Sequence, residues 1–146
     1  MTIGGAIVSG GENDLTQITL AVIRESDVSH VRIVATEMAG HVGFKPLEVC
    51  RLATAVSELA NNLVFHATHG GQMSVTPLFA DARRGIEVVA EDDGPGIANI
   101  ALAMTDGFTT NHGLGGGLPG CRRLMDEFAI TSTSGLGTRI VVRLWR

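Results

Sequence analysis

The strongest periodic signal along the chain is an apolar stripe between Pro46 and His66. Val49, Leu52, Ala53, Val56, Leu59, Ala60, Leu63 and Val64 recur at helical spacing, so about four turns of helix turn one face to a core. Pro46 suits the first helical position, and Glu48 falls in the first turn, where a negative charge meets the helix dipole. Gly70-Gly71 is expected to end this helix. A shorter stripe upstream, Val31, Val34, Ala35, Met38 and Val42, predicts a second helix, capped by Asp27 or Ser29 and terminated at Gly43. Alternation and β-branched residues predict strands at Leu15–Ile23, Met73–Leu78, Ile86–Val89, Ala129–Thr133 and Arg139–Leu144. Hairpins are expected around Asp81–Gly85 and at Ser134-Gly135. Leu118–Phe128 reads as a third helix, and a short helix is expected near Ile97–Met104.

Strands that come in consecutive pairs, interrupted by helices, predict an α+β sandwich with helices on one face of a mostly antiparallel sheet. At 146 residues and 45% hydrophobic, the chain suits one core, placed here in a single domain over residues 12–146. Met1–Gly11, rich in glycine and poor in large apolar residues, reads as a loose tail.

Charge and composition narrow the function. A net charge of −4 argues against a nucleic-acid partner, which normally calls for a basic face. No apolar run is long enough for a bilayer, and Met1–Gly11 lacks the features of a signal peptide, so a cytoplasmic protein without membrane contact is expected. Cys50 and Cys121 are isolated thiols, expected to be buried and reduced. Lys45 is the only lysine and precedes a proline, so neither a Walker A loop nor the usual kinase strand lysine is present. Any grip on phosphate therefore falls to backbone amides, a metal ion or arginine.

Three local patterns carry candidate chemistry. Glu58 and Asn62 stack on one helix face, about 120–165° from the centre of the apolar stripe at roughly 100° per residue. With Ala55 beside them and His66 one turn on, they read as a base and a metal ligand, or as a solvated helix flank; Asn61 and Arg51 read as surface. In Glu91-Asp92-Asp93-Gly94-Pro95-Gly96-Ile97, an acid at a strand end is placed to accept from an amino group, and the spaced glycines allow close approach of backbone. The same stretch also reads as a tight acidic turn. The run Gly113 to Gly120 leads into a helix whose first amides would attract an anion, and alone it also reads as a surface loop. Gly115–Gly120 matches GxGxxG too, yet no strand closely precedes it and no ribose-binding acid follows, so a dinucleotide site is disfavoured.

Taken in order, Glu58-xxx-Asn62, Asp92-x-Gly94-x-Gly96, Gly113-x-Gly115-x-Gly117 and Gly135-x-Gly137-Thr138 resemble the asparagine box and glycine boxes of the Bergerat-fold (GHKL) ATPase and kinase superfamily. The phrases AVSELANN, DDGPGI, GLGGGLPGCRRLMDEF and SGLGTRI most resemble the stressosome switch serine kinases (RsbT-type) of bacterial partner-switching systems. The likeness implies a two-layer sandwich whose mostly antiparallel mixed sheet is covered on one face by three helices. It implies ATP and Mg²⁺ as cofactors. Asn62 matches the metal-coordinating asparagine and Glu58 the general base. Asp92 matches the acceptor of the adenine amino group, with Thr138 beside it and Gly94 and Gly96 under the base. Gly113, Gly115 and Gly117 match the loop that closes on the phosphates, and Ala98–His112 the nucleotide lid. That lid holds no lysine or arginine, leaving Arg122, Arg123 or the metal to meet the γ-phosphate.

Other members of the superfamily need parts not recognised here, a dimerisation helix with an acceptor histidine or a transducer domain. The resemblance therefore implies a stand-alone serine kinase acting on a STAS-domain antagonist and, once released, activating a metal-dependent (PPM-type) phosphatase. Two alternatives stay open: an anti-sigma factor of the RsbW type, and a non-catalytic nucleotide-gated adaptor.

Overall fold

The computed structural model describes residues 2–3, 6–8, 15–67, 69–94, 104, 117–133 and 135–146. Its elements run β1 (Thr2–Ile3), β2 (Ala6–Val8), β3 (Leu15–Val22), α1 (Glu25–Val42), α2 (Pro46–His66), β4 (Gly71–Ala80), β5 (Arg83–Asp92), α3 (Gly117–Leu124), β6 (Glu127–Thr133) and β7 (Gly137–Trp145). Among the described residues the strands form one sheet in the order β1-β2-β3-β4-β5-β7-β6. Every described pair is antiparallel.

Cross-strand register explains why this sheet has one apolar face. Ile18, Val75, Val88, Val142 and Phe128 form one row across β3, β4, β5, β7 and β6, and Leu20, Met73, Ala90, Ile140 and Ile130 form the next. Alternation puts both rows on the same face, and α1, α2 and α3 cover it. The opposite face carries polar partners. Thr19 and Ser74 hydroxyls lie 3.0 Å apart, and Arg143 bonds Glu87 at 2.8 Å and Glu127 at 3.4 Å. Those two carboxylates hold the Arg143 guanidinium above its usual pKa.

The helices begin and end where local chemistry directs. Asp27 or Ser29 was expected to stand at the cap; instead Arg24 holds that position, and Asp27 sits inside the first turn of α1 and reaches back, accepting from the amides of Ile23 at 2.9 Å and Arg24 at 3.0 Å. These amides hold its carboxyl below the usual range. Gly43 ends α1 in the left-handed region at φ 97°, its amide donating to Ala39 and Gly40 carbonyls. Pro46 opens α2, and Glu48 accepts from the Lys45 amide at 2.8 Å.

Four boundaries differ from expectation. Helix α2 ends at His66, with the extended Ala67 as its cap, before Gly70-Gly71 is reached. The β4–β5 turn tightens to Asp81-Ala82, with Asp81 at φ 54°, which lengthens both strands. Helix α3 stops at Leu124 rather than near Phe128, because Phe128, Ile130 and Ser132 alternate as strand residues and pair with β7. The segment read as a loose tail contributes β1 and β2, which extend the sheet beyond β3. Most of the short helix expected near Ile97–Met104 lies outside the described residues.

Leu59 is fully buried at the centre of α2, whereas Ile33 on α1 is 52% exposed. Leu59→Ala should lower the unfolding free energy by about 2–5 kcal/mol through lost contacts and a residual cavity. Ile33→Ala should stay within about 0.5 kcal/mol. Urea denaturation of the two variants checks this, and similar midpoints would contradict the packing described.

Candidate nucleotide site

The helix-facing rows of the sheet turn polar at one end. Beyond Ala90 and Ile140 comes the row Asp92, Thr138 and Ser132, from the last residue of β5, the start of β7 and the end of β6. Thr138 Oγ1 lies 3.0 Å from Ser132 Oγ. Asp92 Oδ1 accepts from the Gly94 amide at 2.8 Å, turning the chain sharply after the strand. Gly137 sits at φ 114°, and a Cβ there would run into the Asp92 carbonyl oxygen. Glycine is therefore required for β7 to lie against the end of β5.

Helix α2 delivers its polar groups to the same end. A Cβ on Gly71 would stand 2.8 Å from Leu63 Cδ2 and 3.2 Å from Asp92 Cβ, so the last turns of α2 meet Asp92 across that glycine. Asn62 precedes Leu63 and is half-buried; Glu58, one turn earlier, is fully buried.

The burial of Glu58 corrects the expectation of an open, wet flank. Helix α3 packs along that flank with Gly117, Leu118, Pro119, Gly120 and Cys121 buried, and Cys121 Sγ lies 4.0 Å from the Ala55 carbonyl oxygen. Burial, then the negative charge of Glu58, pushes the Cys121 thiol up to about 12. Arg51, expected at the surface, anchors this seam: its Nε donates to the Leu124 carbonyl at 3.0 Å, at the end of α3. Cys50, expected buried, is exposed.

The remaining candidates divide plainly. Gly117 opens α3, buried and at φ 72°, a conformation that favours glycine. Gly96, Gly113 and Gly115 lie outside the described residues, as does the lid Ala98–His112 apart from Met104. Arg122 and Arg123 are exposed on α3. One cation was missed. Arg32 of α1 donates to Ser57 Oγ at 3.4 Å, the residue before Glu58. No period within a single helix signals which residues of two helices meet.

The residues present fit a magnesium ion that travels with phosphate. Asn62 offers one hard oxygen donor, and magnesium takes few protein ligands, completing its shell with phosphate oxygens and water. Among the described residues no cluster of three or more His, Cys, Asp or Glu side chains would hold a metal by itself. Nor, among them, is any helix long and apolar enough to cross a membrane.

The sequence that builds this site matches a known family, the histidine kinase-like ATPase domain. The model of that family matches residues 23–144, and the chain belongs to it. It is 40% identical over 129 residues to the serine/threonine-protein kinase RsbT of Bacillus subtilis (strain 168), covering 88% of this chain and 96% of that one. The chain is accordingly an ATP-using enzyme of the GHKL class, a serine/threonine protein kinase. It is also 31% identical over 100 residues to an anti-sigma F factor of Clostridium novyi (strain NT), covering 66% of this chain and 70% of that one. Against the anti-sigma F factor of Caldanaerobacter subterraneus subsp. tengcongensis the identity is 30% over 122 residues, covering 80% and 84%.

Solved structures bear out the fold. The crystal structure of the RsbU and RsbW domains of Rv1364c from Mycobacterium tuberculosis superposes with a TM-score of 0.62 at 16% identity. That match covers 91% of this chain and 34% of the other, so the chain spans about a third of that protein's length. The catalytic domain of the histidine kinase ThkA gives a TM-score of 0.50 at 14% identity, covering 89% of this chain and 95% of that one.

Two glycines near the site separate steric fit from backbone strain. Gly137→Ala meets both a positive φ and the Asp92 carbonyl, whereas Gly135→Ala, at φ 80°, has nothing within 4 Å. Strain alone should cost Gly135→Ala about 1–3 kcal/mol, and Gly137→Ala should lose more. Thermal unfolding measures both, and equal losses would show that β7 does not press on Asp92.

Proposed function

We propose that the chain transfers the γ-phosphoryl group of Mg-ATP to a serine of a STAS-domain antagonist in a cytoplasmic partner-switching pathway. Once released from that partner it activates a PPM-type phosphatase. Residues 12–146 act as one kinase domain. The observation that carries the reading is that Leu63, next to Asn62 on α2, meets Asp92 across Gly71 at the sheet end shared with Thr138, with Glu58 one turn before Asn62. The 40% identity to the kinase RsbT supports it.

In this reading the adenine amino group donates to the Asp92 carboxylate, whose Oδ1 is already oriented by the Gly94 amide. Thr138 stands beside that acid, and Gly94 and Gly96 let the chain pass under the base. Gly113, Gly115 and Gly117 supply amides to the phosphates. Asn62 holds the magnesium ion, which when bound neutralises phosphate charge. Glu58 takes the proton from the serine hydroxyl as its oxygen bonds to the γ-phosphorus and the bond to ADP breaks. A carboxylate held out of water keeps its orientation and meets the developing charge in a low-dielectric setting.

The likeness to anti-sigma F factors supports a second reading, in which the same domain sequesters a sigma factor. The two differ in the protein bound at the kinase face.

Glu58→Gln should fold and bind Mg-ATP as the wild type does, yet transfer phosphate about 10²–10⁴-fold more slowly. The assay follows radiolabel from ATP to a STAS protein co-purified from the native host, with ATP binding measured on the same samples. Wild-type transfer by the variant would remove Glu58 from the base role. A wild-type protein that labels no co-purifying partner but brings down a sigma factor would favour the second reading.

A further inference from the structure

At the end of the sheet opposite Asp92, the strands outrun their helical cover. On the helix-facing side Ile86 and Leu144 pair and are fully buried. One row further out, alternation places Phe79, Arg84 and Arg146 on that same side, with Phe79 paired to Arg84 and the Arg146 amide donating to the Arg84 carbonyl at 2.8 Å. Phe79 thus occupies a core-facing position and is nevertheless 54% exposed. The Arg84 guanidinium lies 5.8 Å from the centre of its ring.

The α1–α2 turn borders this row. The Arg146 guanidinium rests against Gly43, 3.4 Å from where a Cβ would stand. Lys45 follows in the same turn and is exposed, and the first turn of α2 brings up Leu47, 74% exposed. Of the nearby carboxylates, Glu48 is engaged by the Lys45 amide and Asp81 sits in the β4–β5 turn. Arg84 and Arg146 thus share the row of the exposed Phe79, and the adjoining α1–α2 turn adds the exposed Lys45 and Leu47, on a chain whose net charge is −4.

We infer that this end of the molecule docks an acidic segment of a protein partner. The segment sets apolar side chains against Phe79 and Leu47 and carboxylates against Lys45, Arg84 and Arg146. A protein suits the patch better than a nucleic acid, because the apolar pair would gain nothing from a phosphate backbone. The surface lies at the far end of β5 from Asp92, so its occupant binds without entering the nucleotide site. The inference stands apart from the phosphotransfer proposal.

The probe is a short fluorescein-labelled peptide of alternating Glu and Leu pairs, titrated with the full chain and followed by anisotropy. Analogues with Ser for Leu or Lys for Glu, a DNA duplex and phosphatidylserine vesicles form the comparison arms. The Glu/Leu peptide should bind at least about tenfold more tightly than either analogue, and the Lys45→Glu/Arg84→Glu double variant should lose about tenfold or more. Binding should weaken with salt and stay unchanged under a saturating non-hydrolysable ATP analogue. Leu47→Ser, which leaves the core untouched, should also weaken it, while both variants keep wild-type melting and ATP binding. Equal binding of the Ser analogue, tighter binding of the duplex or the vesicles, concentration-dependent self-association that excludes the peptide, or wild-type affinity in both variants would overturn the inference.

Discussion

The rotation of α2 about its own axis is the constraint on which the rest of the arrangement depends. Leu52, Val56, Leu59 and Leu63 turn to the core under the sheet, where all four are buried. Once that face is set, helical geometry leaves Ala55 and Glu58 turned toward α3, and Asn62 one turn further along. The small residues at the start of α3 then allow a close seam, tied at its far end by Arg51 to the Leu124 carbonyl. A fully buried carboxylate beside a thiol held protonated by that burial accompanies the packing of these apolar neighbours.

The sheet imposes a matching constraint. Its apolar rows fix the register, since a slip by one residue would turn Val88, Ala90 and Ile140 to the polar face. The same register places Asp92 and Thr138 side by side on the helix-facing side, immediately past the last apolar pair. The proposed adenine pocket is therefore the point where the core ends, close to α2 because Gly71 lets Leu63 and Asp92 approach each other. At the opposite end the core stops in a different way. A phenylalanine is left half uncovered under an arginine, the feature expected of a surface that another protein completes.

Much of this was legible in the sequence, and the remainder has definite physical reasons. The stripes of α1 and α2, the paired strands and the polar positions at Glu58, Asn62 and Asp92 follow from local spacing, whereas Thr138 is singled out only by the family resemblance. What spacing within one element cannot reveal is which element covers which flank. Glu58 looked solvated because the helix that buries it lies more than fifty residues downstream. Arg51 looked idle for the same reason, and Arg32 showed no signal because its partner, Ser57, belongs to another helix. Cys50 failed differently: its position on α2 falls just off the apolar stripe, and residue type alone was a poor guide to burial.

The account turns on Asp92 as the group that reads the nucleotide base, fixed by the Gly94 amide and by the close approach of Gly137. Calorimetric titration of wild type and Asp92→Asn with ATP and with GTP, each with magnesium, tests this most directly. The account predicts that the variant loses a charge-assisted hydrogen bond, so that ATP affinity falls about tenfold to a hundredfold while GTP affinity changes little, and the preference for adenine collapses. An ATP-to-GTP ratio unchanged between wild type and Asp92→Asn would contradict it.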